Sequence, residues 1–134
     1  MMKKNVVVLG LCVLLLMVSG CGQNKTGQPH NQSGNVKVVR SNYPSGKIKA
    51  SAQTKNGLLD GHAEMYYESG AKMSEANYRT GVLDGVTIAY YESGAKKAEA
   101  TYTEGVLNGT SVNWSEDGQK VSESTFARGV LQAR

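Results

Sequence analysis

Few side chains in this chain could do chemistry. His62 and Glu64 stand two residues apart, so a strand would put an imidazole and a carboxylate on one face, the minimum for a base and an orienting acid. The equivalent places further along hold Val86 with Ile88, then Thr110 with Val112. The pair is therefore a local variation, and a surface or cap role for His62 is the plainer expectation. Glu75, Glu99 and Glu123 recur at a fixed interval. Carboxylates ligate hard cations, but calcium loops gather their ligands on one turn. These three come singly from separate strands beside lysines, which predicts a solvated face and no metal. Repeated aromatics at strand period read as core. Tyr67 and Tyr91 alternate away from Tyr66 and Tyr90, and with Glu75, Glu99 and Glu123 they form the candidate binding surface. The sequence has no phosphate-cradling glycine loop, Ser/His/Asp set or Cys/His cluster, so no catalytic residue and no cofactor is expected.

The remaining reactive group is a thiol. The 134-residue chain has 2 cysteines, Cys12 and Cys21. Met1 to Lys4 are basic, Asn5 to Val18 are almost wholly apolar, and Val18-Ser19-Gly20-Cys21 follows. A short basic start, an apolar run and small residues describe an export signal. The run is short of the roughly 20 residues that span a bilayer. Val-Ser-Gly-Cys resembles the lipobox of bacterial lipoproteins. That resemblance implies cleavage between Gly20 and Cys21, acylation of Cys21, and anchoring in a membrane of the cell envelope. Gly22, which is not Asp, implies the outer membrane where there is one. Several acyl chains hold durably where one chain binds only marginally. Cys12 is lost with the signal, so the mature domain has no thiol for a disulfide, metal or nucleophile. The formal charge of +4 includes Lys3 and Lys4 of the removed segment. The remaining balance is too weak and dispersed to propose nucleic acid as a partner. Residues 1–20 are thus read as the signal and residues 21–35, rich in Gln, Asn, Gly, Ser and Thr, as a tether. His30 in that tether is assigned no role.

The rest of the chain repeats. Gly57-Leu58-Leu59-Asp60-Gly61 returns as Gly81-Val82-Leu83-Asp84-Gly85 and again as Gly105-Val106-Leu107-Asn108-Gly109. Tyr66-Tyr67-Glu68-Ser69-Gly70 returns as Tyr90-Tyr91-Glu92-Ser93-Gly94 and, altered, as Trp114-Ser115-Glu116-Asp117-Gly118. The step is 24 residues, a period at which one unit cannot bury its own apolar face and neighbours cover it. Each unit holds two turn signals and two strand-like runs, and no run after the signal has a helical period. Asp60-Gly61, Asp84-Gly85 and Asn108-Gly109 suit type I′ hairpin turns. Ser69-Gly70, Ser93-Gly94 and Asp117-Gly118 mark the second turn. The expected fold is all-β, a single-layer antiparallel meander over residues 36–134. Its units are 36–56, 57–80, 81–104 and 105–128, with a partial one at 129–134. By alternation, Glu64/Ile88/Val112 share a face with Tyr66/Tyr90/Trp114. Ser74/Ala98/Ser122, Ala76/Ala100/Ser124 and Tyr78/Tyr102/Phe126 share another. Leu59, Leu83, Leu107 and Leu131 are expected to plug the seam at the turn.

With Tyr-Tyr-Glu-Ser-Gly, then Tyr-x-x-Gly-x-Leu-Asp-Gly, the units resemble MORN repeat variants. The matching residues are Tyr66, Tyr67, Gly70, Tyr78, Gly81, Leu83, Asp84 and Gly85, with their counterparts one unit on. The resemblance implies hairpin repeats whose Tyr and Gly are structural, and an interaction scaffold rather than an enzyme. It also implies kinship with YwqK-like antitoxin components. The expectation is a lipid-anchored envelope protein that binds a protein or envelope component. Alternatives are an antitoxin that neutralises a partner toxin and, remotely, a cell-wall-acting enzyme using His62 and Glu64.

Overall fold

A computed structural model describes residues 35–133. The segment read as an export signal, with Gly20 and Cys21, and nearly all of the segment read as a tether lie outside the described residues. Ten strands follow in chain order, with no helix among the described residues. They are β1 (Val36–Asn42), β2 (Ile48–Lys55), β3 (Leu58–Tyr66), β4 (Lys72–Arg79), β5 (Val82–Leu83), β6 (Gly85–Tyr90), β7 (Lys96–Thr103), β8 (Val106–Trp114), β9 (Lys120–Ala127) and β10 (Val130–Leu131). All belong to one sheet in which each strand pairs antiparallel with the next, β5 and β6 both pairing with β4 as two halves of one interrupted strand. The fold is the all-β meander the period demands.

The two turns of each unit differ. Tyr67 accepts a hydrogen bond from the N–H of Gly70, and its own N–H donates to Ala71, both at 2.9 Å; Tyr43, Tyr91 and Ser115 repeat the pattern. Gly70 has φ of 98°, the geometry of a type I turn closed by a left-handed glycine. The type I′ turns, however, do not fall on Asp60-Gly61, Asp84-Gly85 and Asn108-Gly109. Paired positive φ angles occur at Asn56-Gly57, Thr80-Gly81, Glu104-Gly105 and Arg128-Gly129. Asp60-Gly61 lies inside β3, where the register with β2 jumps between Ala52 and Thr54. The Asp-Gly and Asn-Gly glycines thus serve bulges. The Asp60 carboxylate instead accepts the Thr80 N–H at 3.0 Å, and Asn108 Oδ1 accepts the Arg128 N–H at 3.3 Å. Each such side chain fastens the turn that follows it.

Burial departs from the expected aromatic core. The buried residues among those described are Ala50 and Ala52 at 2% exposure, Ala76, Val112 and Thr87. The aromatic rings are half-buried. A sheet without a second layer can hide only what its own longer side chains overhang, so the covered positions are small. The register shows where they lie: Ala52, Ala63 and Ala76 run in a row across β2, β3 and β4, and Thr87, Ala100, Ser111 and Ser124 continue it across β6 to β9. At the seam, the carbonyls of Leu59, Leu83 and Leu107 accept the N–H of Gly81, Gly105 and Gly129 at 2.6, 2.8 and 2.8 Å. Those leucines are half-buried as expected, whereas Leu131 is exposed.

Candidate functional site

The β3–β4 hairpin sets His62 opposite Asn77 and Glu64 opposite Glu75. Paired residues of an antiparallel ladder share a face. One register slip between Met65 and Tyr66 leaves Met73 unpaired and sets Tyr66 opposite Lys72. The slip reverses the alternation along β4 and turns Lys72 toward the two glutamates. The Lys72 ammonium lies 2.7 Å from Glu64 Oε1 and 2.8 Å from Glu75 Oε2. The remaining carboxylate oxygens accept from tyrosines: Tyr66 donates to Glu64 Oε2 and Tyr90 to Glu75 Oε1, both at 2.7 Å. His62 Nε2 stands 3.6 Å from Glu64 and 3.9 Å from Glu75, and its Nδ1 lies 3.3 Å from Asn77 Oδ1.

These contacts fix the charge states. The hydrogen bond from Lys72, aided by that from Tyr66, holds the Glu64 carboxyl below its ordinary range. Lys72 and then Tyr90 do the same for Glu75. Lys72 is pushed well above its ordinary value by the two carboxylates. Tyr66 is raised by donating to Glu64, and Tyr90 by burial and then by Glu75. At neutral pH the cluster is two anions, one cation and two neutral phenols. His62, Glu64 and Glu75 each offer an atom within 4.8 Å of the others, as a metal site would need. Lys72 already contacts the same two carboxylate oxygens, so a metal would have to displace an internal cation.

The motif continues along the sheet in simpler form. Lys96 pairs with Glu99 at 2.6 Å and Lys120 with Glu123 at 2.8 Å. Lys96 also lies 5.3 Å from the centre of the Trp114 ring. Glu75, Glu99 and Glu123 therefore line one face, each paired with the lysine three residues before it. Tyr67 and Tyr91 are engaged differently. Their hydroxyls donate to the carbonyls of Tyr90 and Trp114, both at 2.9 Å, and Tyr43 donates likewise to Tyr66 at 2.7 Å. Each ties one unit to the next. Sequence reasoning missed the Lys72 bridge, and the Tyr43, Tyr67 and Tyr91 clamps, whose only signal is the 24-residue spacing of the tyrosines themselves.

Fold and surface together define a single-layer repeat scaffold. Residues 59–80 and 83–104 match the family model described as MORN repeat variant. The match covers the two central copies, and the structural register carries the same hairpin outward on both sides. No curated protein matches the chain.

Proposed function

We propose that this chain is a non-catalytic binding scaffold, held in a bacterial envelope membrane by lipid on Cys21. The observation that carries the binding half is the internally paired, fixed charge state of its most elaborate polar cluster. Glu64, Glu75 and Lys72 hold one another charged, and Tyr66 and Tyr90 are held protonated. A general acid or base needs a pKa near the working pH, and these groups are moved away from it. What the cluster supports is a stiff array of oriented charges and rings, its Lys–Glu pair repeated in the second, third and fourth units, which suits recognition of an extended partner. The MORN repeat variant match supports the same reading. The anchoring half rests on Val18-Ser19-Gly20-Cys21 behind an apolar run. Cys21→Ser is expected to abolish acyl labelling and release the protein from membranes; persistent labelling refutes the anchor. Capture from envelope extract with the anchored protein as bait should retain a protein or envelope polymer, and should lose it when Glu75, Glu99 and Glu123 are changed to Gln. A catalytic reading predicts instead an activity that His62→Ala removes.

A second reading, neutralisation of a toxin, is favoured by the resemblance to YwqK-like antitoxin components. Co-expression with the product of the neighbouring reading frame decides it: growth rescue by this chain supports it, and a harmless neighbour ends it.

A further inference from the structure

Charge is not spread evenly along the chain. All 11 carboxylates lie between Asp60 and Glu123, while residues 21–56 carry Lys25, Lys37, Arg40, Lys47, Lys49 and Lys55 with no acid. The net total is small, but the cations are concentrated at one end of the sheet. In β1 and β2 Val36 lies opposite Lys55, Val38 opposite Gln53 and Arg40 opposite Ser51, so Val36, Val38, Arg40 and Lys55 share a face. Val36 is 63% exposed, Val38 49% and Ile48 44%, and Arg40 and Lys55 are exposed with them. Arg40 holds the place that Glu64 holds one unit later, and Ile48 the place of Lys72. Lys47 and Lys49 are turned to internal partners, the carbonyl of Glu68 and the ring of Tyr43. The first unit has thus exchanged an internally paired Lys–Glu set for cations without carboxylates among exposed aliphatic side chains.

We propose that this face seats the first unit on the anionic headgroup surface of the membrane that holds Cys21. Charge complementarity carries the argument. Cations interleaved with small apolar side chains match an anionic interface, where each basic residue adds attraction and each buried aliphatic group adds more. The acids gathered in the later units are repelled by the same surface, so the sheet meets it at its amino-terminal end. Only residues 22–35 separate Cys21 from β1, a reach on the order of 50 Å at full extension. Acyl chains with a basic patch form the two-signal arrangement that holds a peripheral protein firmly. The occupant rests on the anchoring reading above. The face itself lies outside the residues that the MORN repeat variant model matches.

The competing explanation is that cations on an outer strand deter edge-to-edge pairing. Both can be tested on the full chain, reconstituted into vesicles of phosphatidylcholine alone or mixed with phosphatidylglycerol, using brief lysine acylation read by mass spectrometry. Lys55 should be protected several-fold relative to Lys120 in the anionic vesicles only. That protection should vanish as salt rises from about 0.1 M to about 1 M, which shortens the screening length from about 10 Å to about 3 Å. At limiting lipid, Arg40→Gln/Lys55→Gln should weaken partitioning to anionic vesicles by about fivefold for each charge and leave partitioning to neutral ones unchanged. Equal reactivity of Lys55 and Lys120 in both vesicles overturns the proposal. So does a double variant that partitions like the parent but self-associates, which assigns the cations to edge protection. Acyl labelling scored in the same preparation separates the two claims: label without protection sinks this one, and protection without label sinks the anchor alone.

Discussion

Removing one oxygen atom from Tyr67 tests how the units hold together. Its hydroxyl donates at 2.9 Å to the carbonyl of Tyr90, a part-buried contact that spans 23 residues of sequence. Tyr67→Phe keeps the ring and deletes only this bond. A typical internal hydrogen bond contributes about 1 kcal/mol net. For a domain of this size that is roughly 5 °C in melting temperature. Tyr91→Phe deletes the next clamp, to Trp114. The two clamps share no hydrogen-bond partner, so their losses should add to about 2 kcal/mol. Ser115 occupies the equivalent position in the fourth unit, but its hydroxyl bonds within its own turn, to Asp117 and Gln119. Ser115→Ala should therefore leave the interface between units intact and cost about 1 kcal/mol or less. Urea melts of the parent, the two single Phe variants, their double and Ser115→Ala decide the matter, because a change of midpoint at constant slope reports stability alone. If both Phe variants melt with the parent, the tyrosine ladder is decoration and the strand register alone couples the units.

Two further predictions concern the cluster and the turns. Glu64 and Glu75 have depressed folded pKa values, so their contribution is present above the ordinary carboxylate value of 4.5 and is lost as pH falls through the folded values. Tyr66, Tyr90 and Lys72 are raised, so theirs is complete below pH 10.0 and is lost as pH rises through the raised values. Stability should accordingly plateau between about pH 5 and pH 9. Lys72→Met should cost about 1 kcal/mol at pH 7, a modest figure because the partly exposed site is screened. That gap should narrow toward about pH 4, as the two opposed carboxylates protonate; a gap that stays constant with pH refutes the bridge. At the turns, Thr80 has φ of 50°, a conformation that is strained for a β-branched residue and tolerated by asparagine. Thr80→Asn should raise stability by about 1 kcal/mol in a urea melt, and a lower midpoint would show that the threonine side chain earns its place.

The period, the meander and the small-residue face were legible because they depend only on spacing and alternation. The type I′ turns were not. Asn56-Gly57 carries the best signal for one, but later units replace the asparagine with Thr80, Glu104 and Arg128, while an Asp-Gly or Asn-Gly pair a few residues on stays conspicuous. Both glycines adopt positive φ, for different ends: one closes a hairpin and the other serves a bulge. The Lys72 bridge was hidden for a related reason. Strict alternation sends Lys72 to the side of Ser74 and Ala76, and only the unpaired Met73 brings it round to Glu64 and Glu75. A bulge changes the parity of a strand, and parity is what a sequence pattern is read by.

The same logic separates residues the sheet requires from residues it merely permits. Positions that keep one character from unit to unit, such as the turn glycines and the small row, meet a geometric demand that returns with every hairpin. Where the character changes, the backbone has stayed the same and the demand must come from elsewhere. Ser115 breaks the tyrosine ladder, so the fourth unit lacks the hydroxyl clamp that the first three extend to their neighbours. His62 and Glu64 stand where the third unit has Val86 and Ile88, and they double the acid around one lysine. Arg40 and Ile48 invert that arrangement one unit earlier, leaving cations where the next unit has a closed ion network. Neighbouring copies of one hairpin thus present opposite surfaces on one side of a continuous sheet. That polarity is a reason to look for two different partners along it, one at the basic end and another along the Lys–Glu stripe.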